Sequence, residues 1–399
     1  MKITDVRVQS LTFPHPPGHQ WNKGAVSATS WDQIIVHVDT DEGISGIGES
    51  YHLKNPSVVA DMVRERLRPL VIGHDPFDVA GLWERMFSRV TQTGAVGVAG
   101  ISGVDTACYD IMGKKLGVPI YRLLGRGGED QPKIEAYVGG HVLGWQPLDK
   151  LDLLVEEAQR YVDLGFRALK IRGGRGLPHR GDIESVKALR AAFGDDLTIL
   201  VDANTEYGDY KTALRMCHEL DKLNVGWIED CFAFSVAFTS SDMARLAKES
   251  PIPVASGGNV YSRFGVKSLI ASGGVDVMTA NTAKTGGISE VRHIQSLCSA
   301  WNMGYTAHCD GGLNTLSNLH VFAAAPPHIT QKLYFEWDPI WPLGDLLTSP
   351  PDVKDGWVGV PDGPGLGSEI REDADERFPF KGGTWYKTSM IAERTGDVA

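Results

Sequence analysis

Short apolar runs recur through the middle of the chain, and several end on a polar residue able to do chemistry. The clearest are Ala168-Leu-Lys-Ile-Arg172, Thr198-Ile-Leu-Val-Asp202, Val225-Gly-Trp-Ile-Glu229 and Gly304-Tyr-Thr-Ala-His308. Consecutive runs lie roughly 25–30 residues apart with a stretch of helical periodicity between them, the pattern of βα units in a parallel barrel. Strand 1 is expected at Ile134–Val138, and strands 2 to 4 end near Arg172, Asn204 and Asp230. Strand 5 (Pro253–Ser256) ends near Gly258, strand 6 (Val275–Ala280) near Asn281, strand 7 near His308 and strand 8 (Lys332–Phe335) at Glu336. Helices are predicted over 149–164, 182–193, 209–222, 240–248, 261–271, 287–301 and 313–325.

Before the barrel, residues 1–50 alternate in strand fashion, with a turn at Asp39-Thr-Asp-Glu-Gly43 and a Pro-rich loop at Phe13–Trp21. Residues 56–125 carry helical periodicity (Val58, Met62 and Leu67, then Ala99, Val104, Cys108 and Ile111). The segment after Pro342 is rich in Gly and Pro and leaves no room for another βα unit. The expected fold is α/β. It is a modified (β/α) barrel over 129–341, with an N-terminal α+β capping domain over 1–128 completed by a returning C-terminal segment, 342–399.

A chain of 399 residues with 42% hydrophobic and 22% charged side chains can bury a large core. Its net charge of -11, without a long Lys/Arg run, argues against nucleic acid as a partner. The N-terminus lacks the apolar core of a signal peptide, and no apolar run approaches the ~20 residues that span a membrane. The five cysteines (Cys108, Cys217, Cys231, Cys298 and Cys309) form no CxxC pair, which reads as reduced thiols in a cytoplasmic protein without a zinc site.

In a parallel barrel the strand C-termini converge on one mouth, so Lys170, Asp202, Glu229 and His308 are expected to share a site. Two carboxylates, an amine and an imidazole there point to metal-assisted chemistry on a carboxylate substrate. Taken singly, each has a plainer reading: an acid at a strand end caps the next helix, a cation snorkels, a buried His is structural.

In the order and spacing of these motifs, and in the tail Val360-Pro-Asp-Gly-Pro-Gly-Leu-Gly367, the chain resembles the enolase superfamily, in its mandelate racemase and muconate-lactonising branch. The resemblance spans nearly the whole length. It implies that Asp202 and Glu229 are ligands of a Mg²⁺ ion. It implies that Lys170 and Arg172 stand at the family's Lys-x-Lys motif, and that His308 is the strand-7 His. Glu336 would be a protonated acid that hydrogen-bonds the substrate carboxylate. Three positions depart from the pattern. Gly258 stands where a third carboxylate ligand belongs, with Asn259, Asn204 or Asp230 as stand-ins. Arg172 replaces a base with a guanidinium suited to clamping a carboxylate. Asn281 replaces the Asp that pairs with the His, offering only a carbonyl.

The resemblance further implies that the cap loops choose the substrate, through His15, His19 and Trp21 in one and Tyr51, His52 and Lys54 in another. Asn204 and Asn259 join Trp21 and His52 as expected substrate contacts, and Lys284 is a further cation near the mouth. The polar mouth (Asn204, Asn281, Asn259, Arg172, His141) favours dehydration of a sugar acid, with Lys170 or His308 taking the proton α to the carboxylate. Racemisation or cycloisomerisation is the alternative. So is a non-catalytic acid binder, because Gly258, Arg172 and Asn281 each remove an expected group. Similar proteins form homo-oligomers, and one is expected here.

Overall fold

Alternation of apolar and polar residues builds the N-terminal strands β1 (Ile3–Pro14), β2 (Trp21–Lys23), β3 (Val26–Ala28), β4 (Ser30–Thr40) and β5 (Ser45–Ser50). The computed structural model of the chain describes residues 1–15, 21–23, 26–28, 30–139, 148–173, 179–232, 236–382 and 386–388. β1, β4 and β5 form an antiparallel sheet. The long helix Ala95–Leu116 lies across it. Gly46 and Gly48 make that approach possible, because a Cβ on either would strike the helix backbone at Ala107 O and Gly103 O. The helical stretch 56–125 is divided into pieces. One turn, Met62–Leu67, is a π-helix, and Pro69 lies in the four-residue helix that follows it.

The eight barrel strands are β6 (Lys133–Val138), β7 (Ala168–Arg172), β8 (Thr198–Asp202), β9 (Val225–Glu229), β10 (Val254–Ser256), β11 (Val277–Met278), β12 (Gly304–Tyr305) and β13 (Phe335–Trp337). They pair in parallel from β6 through to β12, and β13 returns to β6. β10 to β12 are shorter than the apolar runs suggest. Gly257, at φ +130°, turns the chain out of the ladder after β10. Among the described residues no ladder joins β12 to β13. Instead Thr306 Oγ1 donates to Tyr334 O at 2.7 Å across that seam.

After the barrel, β14 (Val353–Lys354) and β15 (Trp357–Gly359) form a hairpin whose second strand pairs antiparallel with β6. The tail thus extends the barrel sheet before touching the N-terminal sheets, where Leu11 bridges Pro379 and β16 (Tyr386–Thr388) pairs with β3. No helix among the described residues is long and apolar enough to cross a membrane.

The N-terminal unit is fixed to the barrel by polar contacts at the start of the helix Gly287–Ala300. Ser289 donates to Asp105 through its N–H at 3.0 Å and its hydroxyl at 2.6 Å. Gly286 N–H donates to Ser102 Oγ, and Trp83 Nε1 donates to Gly286 O, both at 2.9 Å. A first-turn N–H has no partner within its own helix, so an acid from another element is well placed there. Asp105→Ala should lower unfolding stability by about 1–3 kcal/mol, the cost of stranding buried donors. A urea midpoint equal to that of the parent would refute this.

Candidate active site

Strand periodicity and register bring the expected residues together. Lys170 and Arg172, two apart on β7, point to the same side, while Arg172 pairs with Asp202 and Asp202 with Glu229 in adjacent ladders. Lys170 is 1% exposed. Its Nζ lies 2.9 Å from Glu229 Oε2, 2.7 Å from Glu336 Oε1 and 3.9 Å from Asp202 Oδ2. Burial works against its charge, but Glu229, Glu336 and Asp202 outweigh it and hold the ammonium well above the usual lysine range. Arg172 ion-pairs with Asp202 Oδ2. Burial and the nearby Asp202 and Glu336 charges push Glu229 up to about 7, against the pull of Lys170.

Glu336 corrects an expectation. Burial favours its protonated form, but Lys170, His308 and Arg172 win and draw its carboxyl down to about 2. Its Oε2 accepts from Cys309 N–H at 2.9 Å. It is therefore an ionised acceptor in this site, not the protonated donor inferred from sequence.

A second correction concerns Asn281. Its Oδ1, the acceptor expected to hold His308, instead accepts from Ala283 N–H at 2.7 Å and caps the short helix Thr282–Thr285. Its Nδ2 donates to Asp310 Oδ2 at 2.8 Å. Asp310 is the acid beside the imidazole, with Oδ2 3.5 Å from His308 Nδ1. Burial lowers the His308 pKa, yet Asp310 more than compensates and the net shift is upward. Lys284 also pairs with Asp310, at 2.9 Å. The signal for Asp310 was its place two residues after His308, ahead of Gly311-Gly312.

Gly258 lies against the imidazole. A Cβ built there would stand 2.6 Å from His308 Cδ2 and 3.0 Å from Cγ. The ring takes the space through which a side chain at this position would leave the backbone.

Above these groups lies a cavity of about 110 Å³. Its walls include Arg172, Asp202, Asn204, Asn259 and His308 from the barrel, and Trp31, Tyr51 and Lys54 from the N-terminal unit. Asn204 Nδ2 is buried without a hydrogen-bond partner, while its N–H donates to Asp202 Oδ1 at 2.8 Å. Asn259 Nδ2 donates to Asp230 Oδ2 at 3.3 Å, and Ser256 Oγ holds the other Asp230 oxygen at 2.5 Å. His52 does not line the cavity. It is buried against Trp31 and Tyr51, with ring centroids 4.4 and 4.2 Å away, and its Nδ1 accepts from Lys54 N–H. Trp31, at the start of β4 and not marked by the sequence, takes that place in the wall. Trp21 lies in β2, with its side chain outside the described residues, as are His19 and His141. His15 packs near Trp31, 6.3 Å between ring centroids.

The donor set suits a divalent cation in part. Glu229 Oε1 is buried with no hydrogen-bond partner, an acceptor left open beside the Asp202 carboxylate. Among the described residues, however, no three His, Cys, Asp or Glu side chains stand where they could share one ion. Two carboxylates fit Mg²⁺ when the substrate contributes further oxygens, since Mg²⁺ is commonly held by one or two carboxylates plus water and substrate.

Residues 3–125 match the N-terminal domain of the mandelate racemase/muconate lactonizing enzyme family, and residues 153–374 match the enolase C-terminal domain-like family. The chain is 33% identical to arabinonate dehydratase of Saccharolobus solfataricus, across 87% of this chain and 91% of that protein. It is 31% identical to D-galactonate dehydratase of Verminephrobacter eiseniae, across 93% of each. A crystal structure of an enolase-superfamily member from Polaromonas sp. JS666 superposes with a TM-score of 0.86 at 34% identity, over 96% of this chain and 99% of that one. A racemase from Streptomyces coelicolor A3(2) with bound magnesium does so with a TM-score of 0.83 at 27% identity, over 94% and 98%. With both family models matched in order along its length, the chain belongs to the mandelate racemase/muconate lactonizing enzyme family of the enolase superfamily.

Proposed function

We propose that the protein is a Mg²⁺-assisted lyase that removes the proton α to the carboxylate of a sugar acid and expels the β-hydroxyl as water. The observation that carries this reading is the His308–Asp310 pair opening on a polar cavity whose wall also holds Asp202 and Arg172. The dehydratase relatives support sugar acids as the substrate class.

Asp202 and Glu229 would hold the ion, which supplies positive charge to the substrate carboxylate as the α-carbon becomes carbanionic. Lys170, held protonated by three carboxylates, is a poor base and an effective source of fixed positive charge beneath the site. His308 faces the cavity and takes the α-proton as a neutral imidazole, its cationic form then stabilised by Asp310. The electrons of the C–H bond form the new C=C as the β C–O bond breaks, and His308 returns the proton to the departing hydroxyl. Arg172 clamps the substrate carboxylate from the cavity wall, and Asn204 Nδ2 supplies a donor for a hydroxyl.

Incubating the protein with MgCl₂ and a panel of aldonic and aldaric acids in D₂O tests this by proton NMR. A 2-keto-3-deoxy acid should form with at least one of them. α-Proton exchange without loss of water would instead identify a racemase. Neither signal from folded protein would leave acid binding without turnover, and the lyase reading would be wrong.

Two substitutions examine the parts. Arg172→Lys keeps the charge but loses the planar fork, and should lower kcat/KM by about tenfold or more in steady-state kinetics. Gly258→Glu should not tighten Mg²⁺ binding measured by calorimetry, because its stem meets the His308 ring. A marked gain in affinity would show that the third-ligand position is still open.

A further inference from the structure

Lys284 has no part in the reaction just described, yet it is a buried ammonium, 2% exposed, at the meeting point of the N-terminal unit and the barrel. Its Nζ straddles the Asp310 carboxylate, 2.9 Å from Oδ2 and 3.1 Å from Oδ1. Its other face is covered by the Tyr51 ring, whose centroid lies 4.0 Å from Nζ. The short helix that carries it is held from both sides. Tyr51 N–H donates to Ala283 O at 3.0 Å, and Thr282 N–H donates to Asn318 Oδ1 at 3.1 Å. Tyr51 and Lys284 both line the cavity.

We propose that Lys284 is a positioning residue: it shares Asp310 with His308, and so makes the proton affinity of the imidazole depend on how Tyr51 is seated over the barrel. An imidazole beside an undivided, buried aspartate is held more firmly in its protonated form, so a smaller fraction of it is free to accept an α-proton near neutral pH. With both Asp310 oxygens also facing an ammonium, part of that carboxylate's pull is already taken. The Tyr51 ring face keeps water from the ammonium and is itself attractive to it, so the ring holds Lys284 on Asp310. Charged groups from other elements also bear on this cluster: Glu336 from β13 and Asp230 after β9 act on His308, and the buried Glu49 of β5 acts on Asp310 and Lys284. A substrate that presses on Tyr51 from the cavity would therefore act on His308 through Lys284, in addition to meeting the imidazole directly.

The inference rests on His308 as the proton carrier, but its first readout is the resting imidazole, which needs no substrate. The protein with ¹⁵N-labelled histidine is titrated by NMR, with His308→Gln assigning the signal. In Lys284→Met the His308 midpoint should rise by about one pH unit, the scale of one lost charge contact. The acidic limb of kcat should move up with it, while KM changes little. Lys284→Arg should return the midpoint most of the way, which a role in packing alone would not require. Tyr51→Leu admits water to the ammonium and should shift the midpoint in the same direction by less. In the Lys284→Met background that second shift should vanish, the non-additivity expected of a shared path. An unmoved midpoint in folded Lys284→Met overturns the proposal, and additive shifts overturn the link to Tyr51. Should Lys284→Met not fold, Tyr51→Leu alone carries the test: an upward shift supports the path and an unmoved midpoint overturns it. A protein that shows these shifts but turns over no sugar acid refutes the lyase reading and leaves this inference standing.

Discussion

The buried ammonium of Lys170 is the constraint on which the site depends. Removing an ion from water costs several kcal/mol even after relaxation, and that cost is met only by close, well-oriented partners. Here the partners are Glu229 from β9 and Glu336 from β13, with Asp202 from β8 at longer range. One side chain thus ties strands from opposite sides of the barrel at a single height. Room for the arrangement comes from Gly139, just after β6, where a Cβ would meet Glu336 Oε1 at 2.8 Å and Lys170 Cε at 3.3 Å. The two-cation, three-carboxylate group formed with Arg172 keeps an excess of negative charge, which is the electrostatic condition for attracting a divalent ion.

Whatever follows from strand period and strand end was legible in the sequence. Lys170, Arg172, Asp202, Glu229 and Glu336 stand at the end of, or inside, a ladder, and two-residue alternation fixes which way they point. What lies in loops was not. His308 sits three residues beyond the end of β12, in a segment whose direction no periodicity sets. Its acidic partner, Asp310, comes from that same loop and not from strand 6. Asn281 occupies the expected place but spends its carbonyl on the helix that follows, as Asn commonly does at an N-cap. The protonation of Glu336 was misread for another reason: it depends on Lys170 reaching across the barrel, which only the closed structure reveals. His52 and Trp31 exchanged roles because two aromatic rings near one loop cannot be ranked by exposure from sequence.

Five of the ten described non-glycine residues with positive φ lie at or beside the cavity. Asn204, Thr205 and Asp230 adopt positive φ (48°, 66° and 46°) in the loops after β8 and β9, and all three line the cavity. Leu53 and Lys54 do the same in the loop that brings Lys54 to the cavity (47° and 60°). Such conformations cost of order 1–3 kcal/mol each in non-glycine residues and persist only where the surroundings impose them. At Asp230 the imposing contacts are Ser256 and Asn259, and at Asn204 the Asp202 carboxylate. At Lys54 the contact is His52 Nδ1, which explains why a fully buried histidine still matters to the cavity it does not line.

The departures at Gly258 and Arg172 also belong together. The resemblance to relatives leads one to expect three carboxylates for the ion and a lysine as the second cation of the pair. A glycine at 258 in place of a carboxylate would weaken the hold on a cation, and it makes the mouth less negative toward an incoming acid. Arg172 keeps a permanent charge there, which a lysine used as a base would surrender. If Asp202 and Glu229 hold the ion as proposed, both changes move the balance from gripping the metal toward gripping the substrate anion, so that ion and substrate would complete one another's binding. The imidazole that fills the space beside Gly258 gains from the same exchange: it approaches the cavity through room that a ligand side chain would occupy, and the acid that steadies it, Asp310, comes with it on the same loop.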